Sequence, residues 1–310
     1  MMQVLAHIPW ENGQEWIDEL CRQASAHRVH VWPDHPGLDQ IEAAVVWAPS
    51  TDFFEGMTGL RAVMVPGAGV DQLLKSRDTL PKVPIVRLAD PLMASRMADY
   101  VLAMVLDHQR LFRRYREQQG QAVWLRHFHK DPGDIHVGIL GIGLLGTSVA
   151  RQLRAVGYRV SGWSRRVKNM DGIETFSGES GFERLVKSSD VLVCLLPLTD
   201  GTRGILNADV FEAMPEGGLV INVARGGHLV VADLLAALDA GKLSGAVLDV
   251  FEDEPLAPES PIWRHPSITV TPHVASFSNP VTGIRQIVQA LDRIDAGGLP
   301  ENLVDLEAGY

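Results

Sequence analysis

The chain has 310 residues, 46% hydrophobic and 21% charged, with 28 basic against 38 acidic side chains and a formal net charge of −10. These values exclude a disordered or collagen-like chain and a general nucleic-acid binder, which needs a basic surface to neutralise phosphates. No apolar stretch approaches the ~20 residues that span a bilayer, and the opening MMQVLAHIPW is interrupted too early for a secretory leader. The expectation is a protein with no membrane association and, by default, a cytoplasmic location. Cys21 and Cys194 are far apart in apolar contexts and are expected as reduced, buried thiols.

In chain order, β-rich runs at Val4–Ile8, Val29–Trp32, Ala43–Trp47 and Ala62–Val65 alternate with helical or turn-forming stretches. Trp16, Leu20 and Ala24 recur about one helical turn apart. Such alternation predicts a mainly parallel sheet covered by helices on both faces. A long apolar run from Met97 to Leu111, free of Gly and Pro and ending in Arg110, Arg113, Arg114 and Arg116, predicts a buried helix with its basic end at the negative pole. The domain boundary is placed near its start, and Trp124 to Asp134 reads as an irregular connector.

The second half is a sharper α/β pattern. Strand-like runs fall at Ile135–Leu140, Tyr158–Gly162, Val191–Leu196, Leu219–Val223, Gly245–Val250 and Ile268–Val270. Helical stretches lie among them at Thr147–Val156, Ala208–Met214 and Asp233–Ala240. Six strands with crossover helices match a dinucleotide-binding fold. After Pro280 an amphipathic helix (Ile284, Ile287, Val288, Leu291, Ile294) precedes a polar tail.

The glycine fingerprint Gly141-Ile142-Gly143-Leu144-Leu145-Gly146 directly follows one predicted strand and opens a helix. That context is what the mechanism requires. Gly141 permits the turn, Gly143 lets the backbone approach a pyrophosphate, and Gly146 lets helix and strand pack closely. The helix N-terminus offers free N–H groups to the phosphates. Where an NAD site places an acidic residue on the ribose, this chain has Ser164-Arg165-Arg166 and then Lys168. Arginines there suit a 2′-phosphate, so NADP(H) is expected in preference to NAD(H), which stays possible.

Arg225 follows Asn222-Val223-Ala224, Glu254 follows Leu248-Asp249, and His273 follows Thr271-Pro272, each just after a predicted strand. Ligands of open α/β sheets bind at the carboxyl ends of strands, so an Arg, a Glu and a His are expected to converge. Beside a nicotinamide, reduction of a carbonyl requires a hydride on its carbon and a proton on its oxygen. His273 is the natural acid, Glu254 would orient its ring, and Arg225 can bind the substrate carboxylate or the oxygen where charge develops. No HExxH or CxxC pattern is present, and no metal is expected. In the first half, Pro66-Gly67-Ala68-Gly69-Val70-Asp71 follows a predicted strand, and its glycines leave backbone N–H groups able to face an anion.

In order and wording these motifs resemble the D-isomer-specific 2-hydroxyacid dehydrogenase family, and within it the bacterial glyoxylate/hydroxypyruvate reductase A branch. The resemblance runs from Val45-Val46-Trp47 to Gly309-Tyr310. It implies an α/β architecture of two domains, with a Rossmann dinucleotide-binding domain (98–276) inserted into a flavodoxin-like substrate domain (1–97 and 277–310). The same three residues take the catalytic roles. Substrate contacts fall on Trp47, Ala68 and Gly69, besides Arg225 and His273. Cofactor contacts fall on Gly141, Gly143, Leu144, Leu145, Gly146, Ser164, Arg165, Arg166, Pro197, Val223, Ala224 and Asp249, the last to the nicotinamide carboxamide. Met93 and Arg96 stand where they could reshape the substrate pocket. The implied partners are a small 2-oxo acid such as glyoxylate or hydroxypyruvate and a second copy in a homodimer, since Met97–Leu111 and the Trp124 region exceed what one domain must bury. Alternatives are the same chemistry on another 2-oxo acid, or a dinucleotide-sensing binding protein on the same fold.

Overall fold

The structure is a computed structural model, and it describes residues 1–75 and 77–306. The terminal Gly309-Tyr310 pair lies outside them. The chain opens with β1 (Gln3–His7), α1 (Gly13–Gln23), β2 (Arg28–Val31), β3 (Ala43–Val46), β4 (Ala62–Val65), α2 (Asp71–Leu74) and β5 (Ile85–Arg87). Helices α3 (Pro91–Gln109) and α4 (Phe112–Gly120) follow. The next stretch holds β6 (His136–Leu140), α5 (Leu144–Val156), β7 (Arg159–Trp163), β8 (Glu174–Phe176), α6 (Gly178–Ser188) and β9 (Val191–Cys194). Then come α7 (Ala208–Ala213), β10 (Gly218–Asn222), α8 (Val231–Asp239), β11 (Leu243–Leu248), β12 (Ile268–Val270) and α9 (Pro280–Asp295).

Two compact units result: Met1–Leu92 with the chain from Phe277 onward, and Met93–Ser276. The division falls between Leu92 and Met93, a few residues before the 97/98 boundary that the resemblance implies. The long helix starts earlier than the apolar run suggests, because the Asp90 carboxylate accepts the Leu92 N–H at 2.9 Å and Pro91 suits a first-turn position. The helix stops at Gln109, and Leu111 takes a left-handed φ of 59° at the entry to α4.

The first unit is a parallel sheet of order β2-β1-β3-β4-β5, the flavodoxin-like order. Its central strands alternate between two buried faces. Val4, Ala6, Val45 and Met64 pack with Trp16 and Leu20 of α1 and Ile284, Ile287 and Leu291 of α9, while Leu5, Val46, Val63 and Val65 pack with Phe53, Phe54 and Leu73. Burial on both faces is why these strands are near-continuous Val/Ala runs. Helix α9 is capped by Asn279, whose side chain accepts the Val281 N–H at 2.9 Å, and Gly283 leaves room for Trp16, from which a Cβ would lie only 2.6 Å. Sequence periodicity overlooks β5, which is three residues long.

The second unit is a seven-stranded parallel sheet of order β12-β11-β10-β9-β6-β7-β8. The chain reverses direction across the sheet between β6 and β9, the doubly wound arrangement with its crevice at the strands' carboxyl ends. Val137, Ile139, Val193, Ile221 and Val247 face one core, and Leu140, Leu192, Cys194, Val220 and Leu248 face the other. The seventh strand, β8, is a three-residue edge strand, and α6 carries Leu185 and Val186 inward; neither is legible as a periodic run. Cys194 is buried, and burial pushes its thiol up to about 12. Cys21, expected to be buried, is exposed on the outer side of α1. Among the described residues no helix is long and apolar enough to cross a membrane.

Candidate active site

The glycine loop is built on steric necessity. Gly141 has φ +104°, and a Cβ there would lie 2.6 Å from the Leu195 carbonyl oxygen; a Cβ on Gly146 would lie 1.9 Å from the Gly141 carbonyl oxygen. Gly143 differs: a Cβ there would meet nothing within 4 Å. Two glycines therefore serve the fold, and the third faces open space at the N-terminus of α5. A loop of this shape can cradle a pyrophosphate, for which the first-turn N–H groups of a helix are the donors. Leu144 is exposed in the first turn and Leu145 packs against the core.

At the end of β7, the Ser164 N–H donates to the Phe176 carbonyl at 3.1 Å, and its hydroxyl donates to the Arg166 carbonyl at 2.7 Å. This closes a tight turn on which Arg165 and Arg166 are exposed. The Lys168 ammonium reaches back to the Ile142 carbonyl of the glycine loop, a contact that sequence spacing does not reveal. The donor set at this strand end is cationic, which fits a phosphorylated ribose.

The catalytic candidates come from three neighbouring strands. The loop after β10 meets the loop after β11 backbone to backbone: a Cβ on Gly226 would lie 1.9 Å from the Phe251 carbonyl carbon. Only glycine beside Arg225 permits this approach. His273 Nδ1 lies 2.8 Å from Glu254 Oε2, with the two side chains 42% and 36% exposed. Glu254 Oε1 also accepts the Phe251 N–H at 2.9 Å. Burial pushes the Glu254 carboxyl up. The hydrogen bonds from His273 and Phe251 and the charges of His273 and Arg225 outweigh it and hold the group below the usual glutamate value. Its pair with His273 is therefore ionic on the carboxylate side at neutral pH.

Arg225 is half-buried, and its backbone is fixed by two fully buried side chains that sequence reading passed over. Asn222 Nδ2 donates to the Arg225 carbonyl at 2.9 Å. The His228 ring nitrogens lie 3.1 Å from that carbonyl and 3.2 Å from the Pro197 carbonyl. Pro197 is thereby tied to the Arg225 loop. Val223 and Ala224 are buried. Asp249 is 1% exposed, and its carboxylate accepts from the Thr271 hydroxyl at 2.5 Å and from the N–H groups of Val274 and Ala275 at 2.8 and 2.9 Å.

In the first unit, Trp47 follows β3 and lays its ring against Gly67, where a Cβ would lie 2.5 Å away. Its ring also meets Trp10 edge-on at 5.2 Å. The Gly67 carbonyl accepts the Leu88 N–H at 2.9 Å, and the Ala68 carbonyl accepts from Arg87 at 3.4 Å. These bonds anchor the carbonyls of the loop that carries Ala68 and Gly69 at the carboxyl end of β4. Among the described residues no group of three or more His, Cys, Asp or Glu side chains gathers as a metal site.

A doubly wound dinucleotide-binding unit with an Arg, a Glu–His pair and a glycine cradle defines a nicotinamide-dependent oxidoreductase. Residues 102–275 match the sequence model of the D-isomer specific 2-hydroxyacid dehydrogenase NAD binding domain. The chain is 38% identical over 315 residues to glyoxylate/hydroxypyruvate reductase A of Serratia proteamaculans, covering 100% of both chains. It superposes with TM-score 0.94 on a D-isomer specific 2-hydroxyacid dehydrogenase from Xanthobacter autotrophicus Py2 in complex with NADPH and MES, at 38% identity over 100% of this chain and 99% of that one. The TM-score is also 0.94 for the NADPH-dependent glyoxylate/hydroxypyruvate reductase of Sinorhizobium meliloti in complex with NADP and sulfate, at 37% identity over 100% of both chains. The chain belongs to the D-isomer-specific 2-hydroxyacid dehydrogenase family. It is an oxidoreductase of two α/β domains, the first bearing the substrate-binding sheet and the second the Rossmann NAD(P)-binding sheet, and it takes NAD(P)H as its cofactor.

Proposed function

We propose that this enzyme reduces small 2-oxo acids, glyoxylate and hydroxypyruvate foremost, to 2-hydroxy acids, with NADPH preferred over NADH. The observation that carries the reading is the 2.8 Å His273–Glu254 pair beside Arg225 at adjoining strand ends. Glu254 engages Nδ1, so Nε2 is the nitrogen that gives its proton to the substrate carbonyl oxygen. Arg225 holds the carboxylate and stabilises the charge growing on that oxygen. The reduced nicotinamide, when bound, supplies the hydride that C2 accepts. Hydride on carbon and proton on oxygen together give the hydroxy acid.

Gly141, Gly143, Gly146 and the first turn of α5, with Leu144 and Leu145, hold the pyrophosphate. Ser164, Arg165 and Arg166 take the ribose phosphate, while Pro197, Val223 and Ala224 line the cofactor cleft. Trp47, Ala68 and Gly69 contribute to the substrate. Two relatives with NADPH or NADP bound support the cofactor preference, and the names of the Serratia and Sinorhizobium proteins support the substrates. The retained Arg, Glu and His count against a sensor without turnover. An NADP(H) preference favours the direction of reduction, because cells keep that pool reduced. The functional form is a homodimer: Trp124 is 94% exposed and Phe128 fully exposed on an extended segment after α4, apolar surface that a second copy would cover.

The test is oxidation of NADPH and of NADH, followed at 340 nm with glyoxylate, hydroxypyruvate and pyruvate. Turnover with NADPH and the first two acids is expected. Tight NADPH binding without oxidation by any of the three would overturn the reading.

A further inference from the structure

His273 sits in a left-handed backbone conformation, φ 56°, that non-glycine residues adopt only where surrounding structure imposes it. The imposing group is Asp249. Its backbone carbonyl accepts the His273 N–H at 2.8 Å, its Oδ1 accepts the Val274 N–H at 2.8 Å and the Thr271 hydroxyl at 2.5 Å, and its Oδ2 accepts the Ala275 N–H at 2.9 Å. One buried residue thus receives donors from four of the five residues 271–275. The Thr271 oxygen lies 2.6 Å from the Tyr100 hydroxyl of α3. Thr271 has one proton and gives it to Asp249, so Tyr100 must be the donor to Thr271. The chain therefore runs Tyr100 to Thr271 to Asp249. Burial pushes the Tyr100 phenol up to about 12, so it keeps the proton this role demands.

We infer that Asp249, with Thr271 and Tyr100 behind it, is a positioning residue that clamps the turn presenting His273. The inference rests on His273 being the acid. Asp249 acts through the turn, and Tyr100 and Thr271 act through Asp249; none of the three transfers a proton to substrate.

The experiment compares wild type with Thr271→Val, Thr271→Ser, Tyr100→Phe, Asp249→Asn and His273→Ala. Three quantities are measured: kcat with the best 2-oxo acid, the NADPH dissociation constant by fluorescence, and hydrogen exchange of the 271–276 amides without cofactor. Thr271→Val and Tyr100→Phe are expected to lower kcat by about tenfold or more, since small misplacements of a catalytic group cost this much. Both should speed exchange of the turn amides by about tenfold, reflecting local opening, while NADPH affinity stays within about twofold. Thr271→Ser, which keeps the hydroxyl, should restore kcat. Asp249→Asn should follow the same pattern; should it fail to fold, the Thr271 and Tyr100 variants decide. Wild-type kcat and exchange in Thr271→Val and Tyr100→Phe, with His273→Ala inactive, would overturn this inference alone. A loss of NADPH affinity parallel to kcat would put Asp249 on the cofactor instead. Full turnover by His273→Ala would overturn the acid assignment and this inference with it.

Discussion

Replacing Glu254 with Gln isolates what the carboxylate contributes to His273. Glu254 serves two donors with two oxygens: Oε1 takes the Phe251 N–H at 2.9 Å and Oε2 takes His273 at 2.8 Å. A glutamine has one acceptor oxygen, so one of those bonds must be lost, and the charge is lost in either case. A hydrogen bond to a charged group contributes about 1.5–3 kcal/mol. Here both side chains are more than a third exposed, so solvent screening reduces this to about 1–1.5 kcal/mol. At about 1.4 kcal/mol per decade the expected fall in kcat is roughly five- to fifteenfold, with the KM for NADPH unchanged. The pH dependence follows from the sign of the Glu254 shift. Its folded value is depressed, so the carboxylate is ionised throughout the neutral range, and its contribution to stability is fully present above the unfolded value of about 4.3. That contribution is lost only as pH falls through the lower folded value. The thermal midpoint of Glu254→Gln should therefore drop less than that of wild type on acidification below about pH 4.3. The assay is NADPH oxidation at 340 nm from pH 5 to 9, with thermal melts extended to lower pH. Wild-type kcat at every pH would refute the claim that Glu254 orients the acid.

Two further outcomes test separate parts of the reading. Arg165→Ala combined with Arg166→Ala should raise the NADPH dissociation constant by about tenfold to a hundredfold, the loss of charge-assisted phosphate bonds, and leave NADH nearly unchanged. Equal weakening of both cofactors, measured by fluorescence titration, would make these arginines ordinary surface charge. Light scattering on a size-exclusion column should give twice the 33.9 kDa chain mass for wild type. It should show a shift toward monomer for Trp124→Ser combined with Phe128→Ser, because these two rings are the most exposed apolar side chains of that segment. A wild-type monomer at micromolar concentration would end the homodimer proposal.

What the sequence made legible follows from whether the constraint is local. Gly146 is readable because the Gly141 carbonyl in the same loop leaves no room for a Cβ, and Gly141 because the turn holds it at φ +104°, demands that are written into residue type. The central strands are readable because both faces are buried. The edge strands β5 and β8 are too short to establish a period, and the start of α3 is set by a cap on Asp90 that an apolar run does not mark. Arg225, Glu254 and His273 were legible as candidates because each lies in the loop that follows a strand, and the sheet order makes those strands neighbours. The partners that hold them were not. Tyr100 is 171 residues from Thr271, and it reads as one more ring in an apolar helix until the fold brings its hydroxyl to that threonine. Asp249 shows the same limit from the other side. Its motif marks it as important, yet an acceptor's role depends on which donors reach it, and those arrive from a turn more than twenty residues further on. A carboxylate already holding three donors in a buried setting has its orientation fixed by them.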